Sequence, residues 1–409
     1  MSSNIKKSKI VFTLSVVFFL FLFLNDNTIY SLYFRNYSSM FLLLSIVVLF
    51  FLLFISHKIL LIKRYMTFIF VWLLAVLLSC CLNGLNNFVF VRLSYWSVVL
   101  VAICVIKANG IDYIEVLYVI TKVYCVWGLI CYLYTVFNFS FIPVTDVSSS
   151  LLYKWYKIEL YGYIISKPIT HLSVGSISLL RLDRPFGEPG IAQMYYNFGL
   201  LCNLFYFNNM KQKKVKWFWF ILFSLATILS FSLTGYFIYL VIIMIYLLYR
   251  KKRKLFLLFL LLSLVVAYTM VTQKVDTVSY SDRLQDYTFM FDAIINNLPF
   301  GIGIGNTGNL DHYIVAETGE KAIGFYCGLL YPLAQYGFLG FFYYYVFIRT
   351  GKSFSNNIYA NVVFWVYMSL TLLTEPQAEE PFIMCLLFGG LLLSFINKNE
   401  LERKTSNDK

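Results

Sequence analysis

The chain has 409 residues, 60% of them hydrophobic, 20% aromatic and only 13% charged, with a formal net charge of +13. Soluble domains carry about 25% charged residues. The composition therefore excludes a cytosolic enzyme with a basic face, and the soluble domains that the length alone would suggest.

Apolar runs recur along the whole chain, most of them long enough to cross or nearly cross a bilayer. Twelve are predicted, at 10–24, 40–56, 66–82, 93–106, 114–137, 188–208, 217–232, 235–249, 255–272, 323–348, 358–373 and 382–397. They lack the alternation of barrel strands, so they are expected to be helices. The first follows Lys6-Lys7-Ser8-Lys9, as in a signal peptide, but no small-x-small cleavage site precedes Asn25, so it is read as a span. Within 217–249 the lysines at 211–216 and the basic run Arg250 to Lys254 lie at opposite ends. Two short helices turning at Ser232-Leu233-Thr234-Gly235 keep both clusters on one side. The expectation is an all-α polytopic membrane protein, with 1–409 as one integral membrane domain and about twelve transmembrane helices.

Lysine and arginine in short loops set the orientation. One face collects 22 of the 33 Lys and Arg residues and the other 10, with Lys122 inside a span and read as snorkelling. The richer face is expected to be cytoplasmic, with both termini inside. The opposite face holds 15 of the 20 acidic residues. The net charge is therefore a topology signal and not the mark of an anionic partner. Both long loops, 138–187 and 273–322, fall on the outer face, where long loops are often functional.

All eight cysteines lie within or at the edge of spans, and no CxxC occurs. The expected chemistry of these thiols is that of small apolar residues, with no disulfide framework. The three histidines, His57, His171 and His312, are far apart, so no metal is expected.

The densest polar constellation is Arg181-Leu182-Asp183-Arg184-Pro185-Phe186-Gly187-Glu188-Pro189-Gly190, where the first long loop meets a span. Two arginines three apart can converge on one anion and bind phosphate bidentately. Pro185 and Pro189 stiffen the segment, and Gly187 lets backbone approach a ligand. Pro189 suits the first turn of the following helix. The alternative is a solvated junction with Arg181–Asp183 and Arg184–Glu188 pairs. The second long loop carries Ser281-Asp282-Arg283 and then Leu298-Pro299-Phe300-Gly301-Ile302-Gly303-Ile304-Gly305-Asn306. No βαβ context surrounds those glycines, so a dinucleotide site is rejected; a tightly packed loop and a flexible turn both remain open. His312 and His171 are candidates for base or substrate contact, against ordinary surface positions. The acidic turn 374–380 is either a solvated loop or a source of an acid/base carboxylate. Outer aromatic residues such as Tyr153, Trp155, Tyr156, Tyr161 and Tyr163 anchor helix ends, and they could also stack on sugars.

Taken together, these stretches resemble the O-antigen polymerases of the Wzy family, which belong with the O-antigen ligases to one superfamily of membrane glycosyltransferases. The matching stretches are Arg184 to Ala192, Leu229-Ser230-Phe231-Ser232-Leu233-Thr234-Gly235, Arg283 through Asn306, and Leu333-Ala334-Gln335-Tyr336-Gly337-Phe338-Leu339-Gly340. The ligases carry a His-Asn before the glycine that corresponds to Gly337. Here that region reads Gly324-Phe325-Tyr326-Cys327, which favours the polymerase.

The resemblance implies a GT-C-like fold in a bacterial inner membrane, with a periplasmic active site and no cofactor. It implies undecaprenyl-diphosphate-linked oligosaccharides as donor and acceptor, contact with membrane lipids, a separate chain-length regulator and no nucleic acid. Arg184 and Arg283 would clamp the diphosphate, and Glu188 or Asp183 would act as base. Arg181, His171, His312, Tyr326, Gly187 and Gly303 would contact substrate. A ligase of the same superfamily, or a flippase or transporter for lipid-linked oligosaccharide, are the competing readings.

Overall fold

The computed structural model describes residues 2–25, 28, 40–84, 87–137, 144–148, 157–162, 164–168, 170–174, 177–207, 215–274, 278–303, 327–355, 357–375 and 377–407. Helices α1 (Ser2–Leu24), α2 (Met40–Ser56), α3 (Lys63–Asn83), α4 (Asn87–Ala108) and α5 (Tyr113–Val136) come first. Five short strands follow: β1 (Val144–Ser148), β2 (Lys157–Tyr161), β3 (Ile165–Ser166), β4 (His171–Val174) and β5 (Ile177–Leu180). Next are α6 (Pro189–Leu201), continued by a π-turn over Cys202–Tyr206, α7 (Trp217–Leu229), α8 (Leu233–Tyr249) and α9 (Arg253–Lys274). The remainder is α10 (Val278–Asn297), α11 (Tyr331–Tyr336), a 3-10 turn over Gly337–Gly340, α12 (Phe341–Ser353), α13 (Ile358–Thr374) and α14 (Pro381–Asn407).

Helix dominates, as the apolar runs require. Among the described residues, four stretches are long and apolar enough to cross a membrane: Lys7–Leu24, Lys63–Asn83, Val89–Ala108 and Tyr113–Val136. Shorter apolar helices cover Met40–Ser56, Trp217–Leu229, Leu233–Tyr249, Ile358–Thr374 and Pro381–Ile396. The expected break near 232 is present: α7 ends at Leu229, and the Ser232 hydroxyl caps α8 by accepting from the Gly235 N–H.

Three stretches differ from the reading of the apolar runs. The first long loop is stranded, with β1, β2 and β3 forming one antiparallel sheet and β4–β5 a hairpin. Alternation such as Ile177-Ser178-Leu179 is the local cause. The second long loop begins with α10, whose Phe289, Met290 and Ala293 share a helical face and pack with Ile302 and Ala334. The run 323–348 is not one helix: among its described residues, Pro332 takes the first turn of α11, and the turn Gly337–Gly340 divides α11 from α12.

The chain folds as two compact units, Met1–His57 with Asn109–Ser263, and Lys58–Ala108 with Leu264–Lys409. In the first unit α1 packs on α2 and α5, and α6 packs against α5, α7 and α8. Every residue of α6 is buried, which explains a helix with little polar face. In the second unit α14 packs against α3, α4 and α12. Trp72 of α3 stacks on Trp96 of α4 with ring centroids 5.4 Å apart.

The glycine-rich stretch of the second unit is a tightly packed loop. The N–H groups of Ile302 and Gly303 donate to the carbonyls of Ala334 and Gln335, both at 2.9 Å. Phe338 N–H donates to the Pro299 carbonyl at 2.9 Å, and the Ser79 hydroxyl donates to the Phe300 carbonyl at 2.7 Å. This satisfies backbone that belongs to no helix. The approach is so close that a Cβ on Gly337, at φ +56°, would lie 2.0 Å from the Pro299 carbonyl oxygen.

Gly337→Ala is expected to cost about 1–3 kcal/mol from the backbone conformation alone, and more from the collision. Gly110, at φ +69° with nothing within 4 Å of where a Cβ would stand, isolates the first contribution. A thermal melt in detergent should show a clearly lower Tm for Gly337→Ala than for Gly110→Ala. Equal losses would mean that the 299–303 and 334–338 segments are not in contact.

Candidate functional site

The segment Arg181–Glu188 leaves hairpin β4–β5 and enters α6. It is held by backbone before any side chain acts. Arg181 N–H donates to the Thr170 carbonyl at 3.0 Å, and Leu182 N–H to the Leu229 carbonyl at 2.8 Å. The Arg181 guanidinium then spans the α7–α8 turn. Its Nε donates to the Ser230 carbonyl at 3.2 Å and its Nη2 to the Phe231 carbonyl at 3.0 Å. Carbonyls at a helix C-terminus lack intrahelical donors, and Arg181 supplies them.

Arg184 and Asp183 are both fully buried and form an ion pair, Nη1 to Oδ1 at 2.9 Å. Thr170 completes the carboxylate: its N–H and its hydroxyl donate to Asp183 Oδ2 at 3.2 and 2.8 Å. Arg184 Nη2 donates to the Lys167 carbonyl, and the Arg184 carbonyl accepts from the Tyr196 hydroxyl at 3.0 Å. The Arg184 Nε–H has no acceptor among the described residues. Gly128 of α5 is what lets this turn approach, since a Cβ there would fall 2.6 Å from the Arg184 carbonyl oxygen. Phe186 stacks on Tyr195 of α6 at 4.3 Å, closing the apolar side of the turn.

The alternative of a solvated junction with an Arg184–Glu188 pair does not hold: residues 182–187 are buried, and Arg184 pairs with its neighbour Asp183. Pro189 does take the first turn of α6, with Glu188 as the N-cap residue and no side-chain cap hydrogen bond. A carboxylate at that position already complements the helix dipole. Gly187 sits at φ +74°, where glycine is at ease.

The other sequence candidates are dispersed. His171 is exposed on β4, with Nδ1 3.3 Å from the Ser178 hydroxyl across the hairpin. Gly303 belongs to the second unit, and its N–H is committed to Gln335. Arg283 lies on α10 of that unit, but its side chain, like His312 and Tyr326, falls outside the described residues. Among the outer aromatics, Tyr153, Trp155, Tyr156 and Tyr163 lie outside them too, while Tyr161 packs on Tyr134 at 4.7 Å.

A second constellation, in the second unit, is not evident as a buried one from sequence. The acidic turn between α13 and α14 is enclosed: Glu375, Gln377, Ala378, Glu379 and Glu380 are all buried. The solvated-loop alternative is thereby excluded for this turn. Arg92 of α4 holds Glu380 with both terminal nitrogens, at 3.2 and 3.0 Å. One turn along α4, the Trp96 indole donates to the Glu379 carbonyl at 3.3 Å. The Tyr336 hydroxyl donates to Glu379 Oε1, and the Tyr343 hydroxyl to the Ala378 carbonyl at 2.8 Å. Burial pushes the Glu379 carboxyl above its ordinary value of 4.5, and the pull of Arg92 and the Tyr336 hydrogen bond offsets this only in part. The one signal in the sequence is that Arg92 and the acidic run both lie beside ends of apolar runs.

Two measurements test these nodes. Removing one partner of a buried ion pair costs about 3–5 kcal/mol, so Asp183→Ala should lower Tm far more than the double change Asp183→Ala with Arg184→Met. A double variant no better than the single one would deny the pairing. At the acidic turn, a carboxyl with a raised folded-state pKa binds its proton more tightly when folded. Its contribution is complete at low pH and lost as pH rises through the raised value. Glu379→Gln should therefore gain Tm over the parent protein at about pH 8 and lose that advantage at about pH 5. The same advantage at both pH values would rule out titration of Glu379. In comparison with known proteins, no family model, no curated protein and no solved structure matches this chain.

Proposed function

We propose that this chain is a membrane glycosyltransferase of the polymerase type. It would move a growing glycan from undecaprenyl diphosphate onto a hydroxyl of the next lipid-linked repeat unit. The proposal includes the finer topology read from the sequence: about twelve spans, both termini cytoplasmic, and residues 138–187 and 273–322 on the periplasmic face of a bacterial inner membrane. The observation that carries it is Arg184, a fully buried arginine fixed where the stranded segment enters α6, with Nε–H still lacking an acceptor among the described residues.

The chemistry suits such a group. Negative charge develops on the diphosphate as the glycosidic bond breaks, and a pre-positioned guanidinium stabilises it without reorganising. Nη2 rests on a neutral carbonyl, that of Lys167, and a diphosphate oxygen is the stronger acceptor. Asp183, with one oxygen on Arg184 and the other on Thr170, is better suited to hold the arginine than to take a proton. Glu188, at the N-cap of α6, is then the better candidate for the base that receives the acceptor hydroxyl proton. Arg283, on α10 of the second unit, is kept in this proposal from the sequence reading as a further arginine the reaction needs, and Arg181 supports the turn.

Purified protein in liposomes, supplied with undecaprenyl-diphosphate-linked repeats, should build a ladder of longer lipid-linked chains. Loss of one charge-stabilising donor typically lowers such rates about 10²–10³-fold. Arg283→Ala, at unchanged membrane level, should therefore abolish the ladder. Transport of the lipid-linked repeat without any joining would overturn the proposal, as would a full ladder from Arg283→Ala.

A further inference from the structure

The first unit carries an open groove of about 730 Å³ along one face of α5. Val119, Val123, Val126 and Ile130 recur at steps of three and four, and Trp127 and the Trp219 ring of α7 form the walls. The volume is that of an ordinary ligand site, about 300–1,000 Å³. At one end the groove shares Val119 and Lys122 with a polar notch of about 60 Å³, which also takes in Glu115, Asn203 and Lys216. Two lysines against one glutamate leave the notch positive. The whole is one feature with a long apolar body and a small cationic head.

The head is built rather than incidental. Asn203 is 3% exposed and lies in the π-turn that interrupts the α6 helix. Its Oδ1 accepts from the Lys216 N–H at 3.3 Å and its Nδ2 donates to the Lys216 carbonyl at 3.2 Å. A side chain thus pins the residue that starts α7. The Tyr118 hydroxyl lies 3.4 Å from the same Asn203 oxygen. The Lys122 ammonium stands 4.5 Å from the Tyr118 ring centre and 5.2 Å from that of Trp219, so ring faces fix the cation at the mouth of the groove. A π-turn that aims a polar side chain is a recurrent functional device.

We propose that this feature binds one anionic phospholipid, with the phosphate at Lys122 and Lys216 and an acyl chain along the α5 groove. Charge complementarity selects the occupant. A basic pocket between membrane helices favours an anionic headgroup, whereas the amine of a zwitterionic lipid would meet two lysines against the single carboxylate of Glu115. The inference rests on the membrane reading of the chain and not on glycosyl transfer.

Native mass spectrometry of the full chain, with phosphatidylglycerol and phosphatidylethanolamine at equal concentration, tests it. The expected result is preferential retention of one phosphatidylglycerol. Lys122→Gln should reduce that preference at least tenfold. Val126→Trp, which fills the groove and leaves the lysines in place, should reduce retention of either lipid. If Lys122→Gln fails to fold, Val126→Trp decides alone. Equal retention of both lipids by the parent protein would overturn the proposal. So would unchanged retention in the folded variants, or preference for undecaprenyl phosphate over phosphatidylglycerol. The ladder assay is independent, since a protein that polymerises without selecting phosphatidylglycerol fails only the lipid proposal.

Discussion

A charge taken out of water has to be given a partner, and a chain with 13% charged residues has few to spend. That constraint organises the first unit around Arg184 and Asp183. Once the pair is buried, its remaining donors and acceptors need partners: Thr170 meets the carboxylate, the Lys167 carbonyl takes Arg184 Nη2, the Tyr196 hydroxyl holds the Arg184 backbone carbonyl, and Nε–H is left without an acceptor among the described residues. These partners come from the approach to hairpin β4–β5 and from the α6 helix. Arg181 extends the same logic to the end of α7, where carbonyls that no helix can satisfy accept its guanidinium. The ion pair therefore does more than neutralise two charges: it fixes how an irregular segment joins an apolar helix.

In the second unit the same requirement falls on backbone. Residues 299–303 and 334–338 pair as two irregular strands of chain, and only glycine at 301 and 337 permits the separation. This is why the tenth apolar run is not one helix. Continuing α11 through Gly337 would withdraw the Gln335 and Ala334 carbonyls from Gly303 and Ile302. Hydropathy records that the region is apolar; the backbone accounting decides its shape.

Much of this is legible from residue type, and less from pairing. The break at 230–232 is the one expected from reading the two basic clusters as sharing a face, and Pro189 announces the start of α6. Arg181, Asp183 and Arg184 stand out because charges are rare beside apolar runs. Their partners do not, because Arg184 and Glu188 face each other only if the segment is helical, and it is a series of turns. The acidic turn misleads for a related reason. Polar sequence suggests solvent, but Glu379 is enclosed by Tyr336, 43 residues away, and Trp96, 283 residues away. No local window contains that information. The strands in 138–187 are locally visible as alternation, but are overshadowed by the much stronger signal of the flanking spans.

The two buried carboxyl sites show how one chemical group acquires two roles. Asp183 faces a guanidinium and two Thr170 donors, a setting that stabilises a negative oxygen wherever the pair goes. Glu379 shares its surroundings with Glu380, and Glu380 takes both terminal nitrogens of Arg92. What is left for Glu379 is the distant pull of Arg92 and a tyrosine hydroxyl, against complete burial. The arithmetic of donors therefore separates a carboxylate that positions an arginine from a carboxyl whose proton is held more tightly than usual. A group of the second kind can exchange a proton without breaking an ion pair, which the first cannot do.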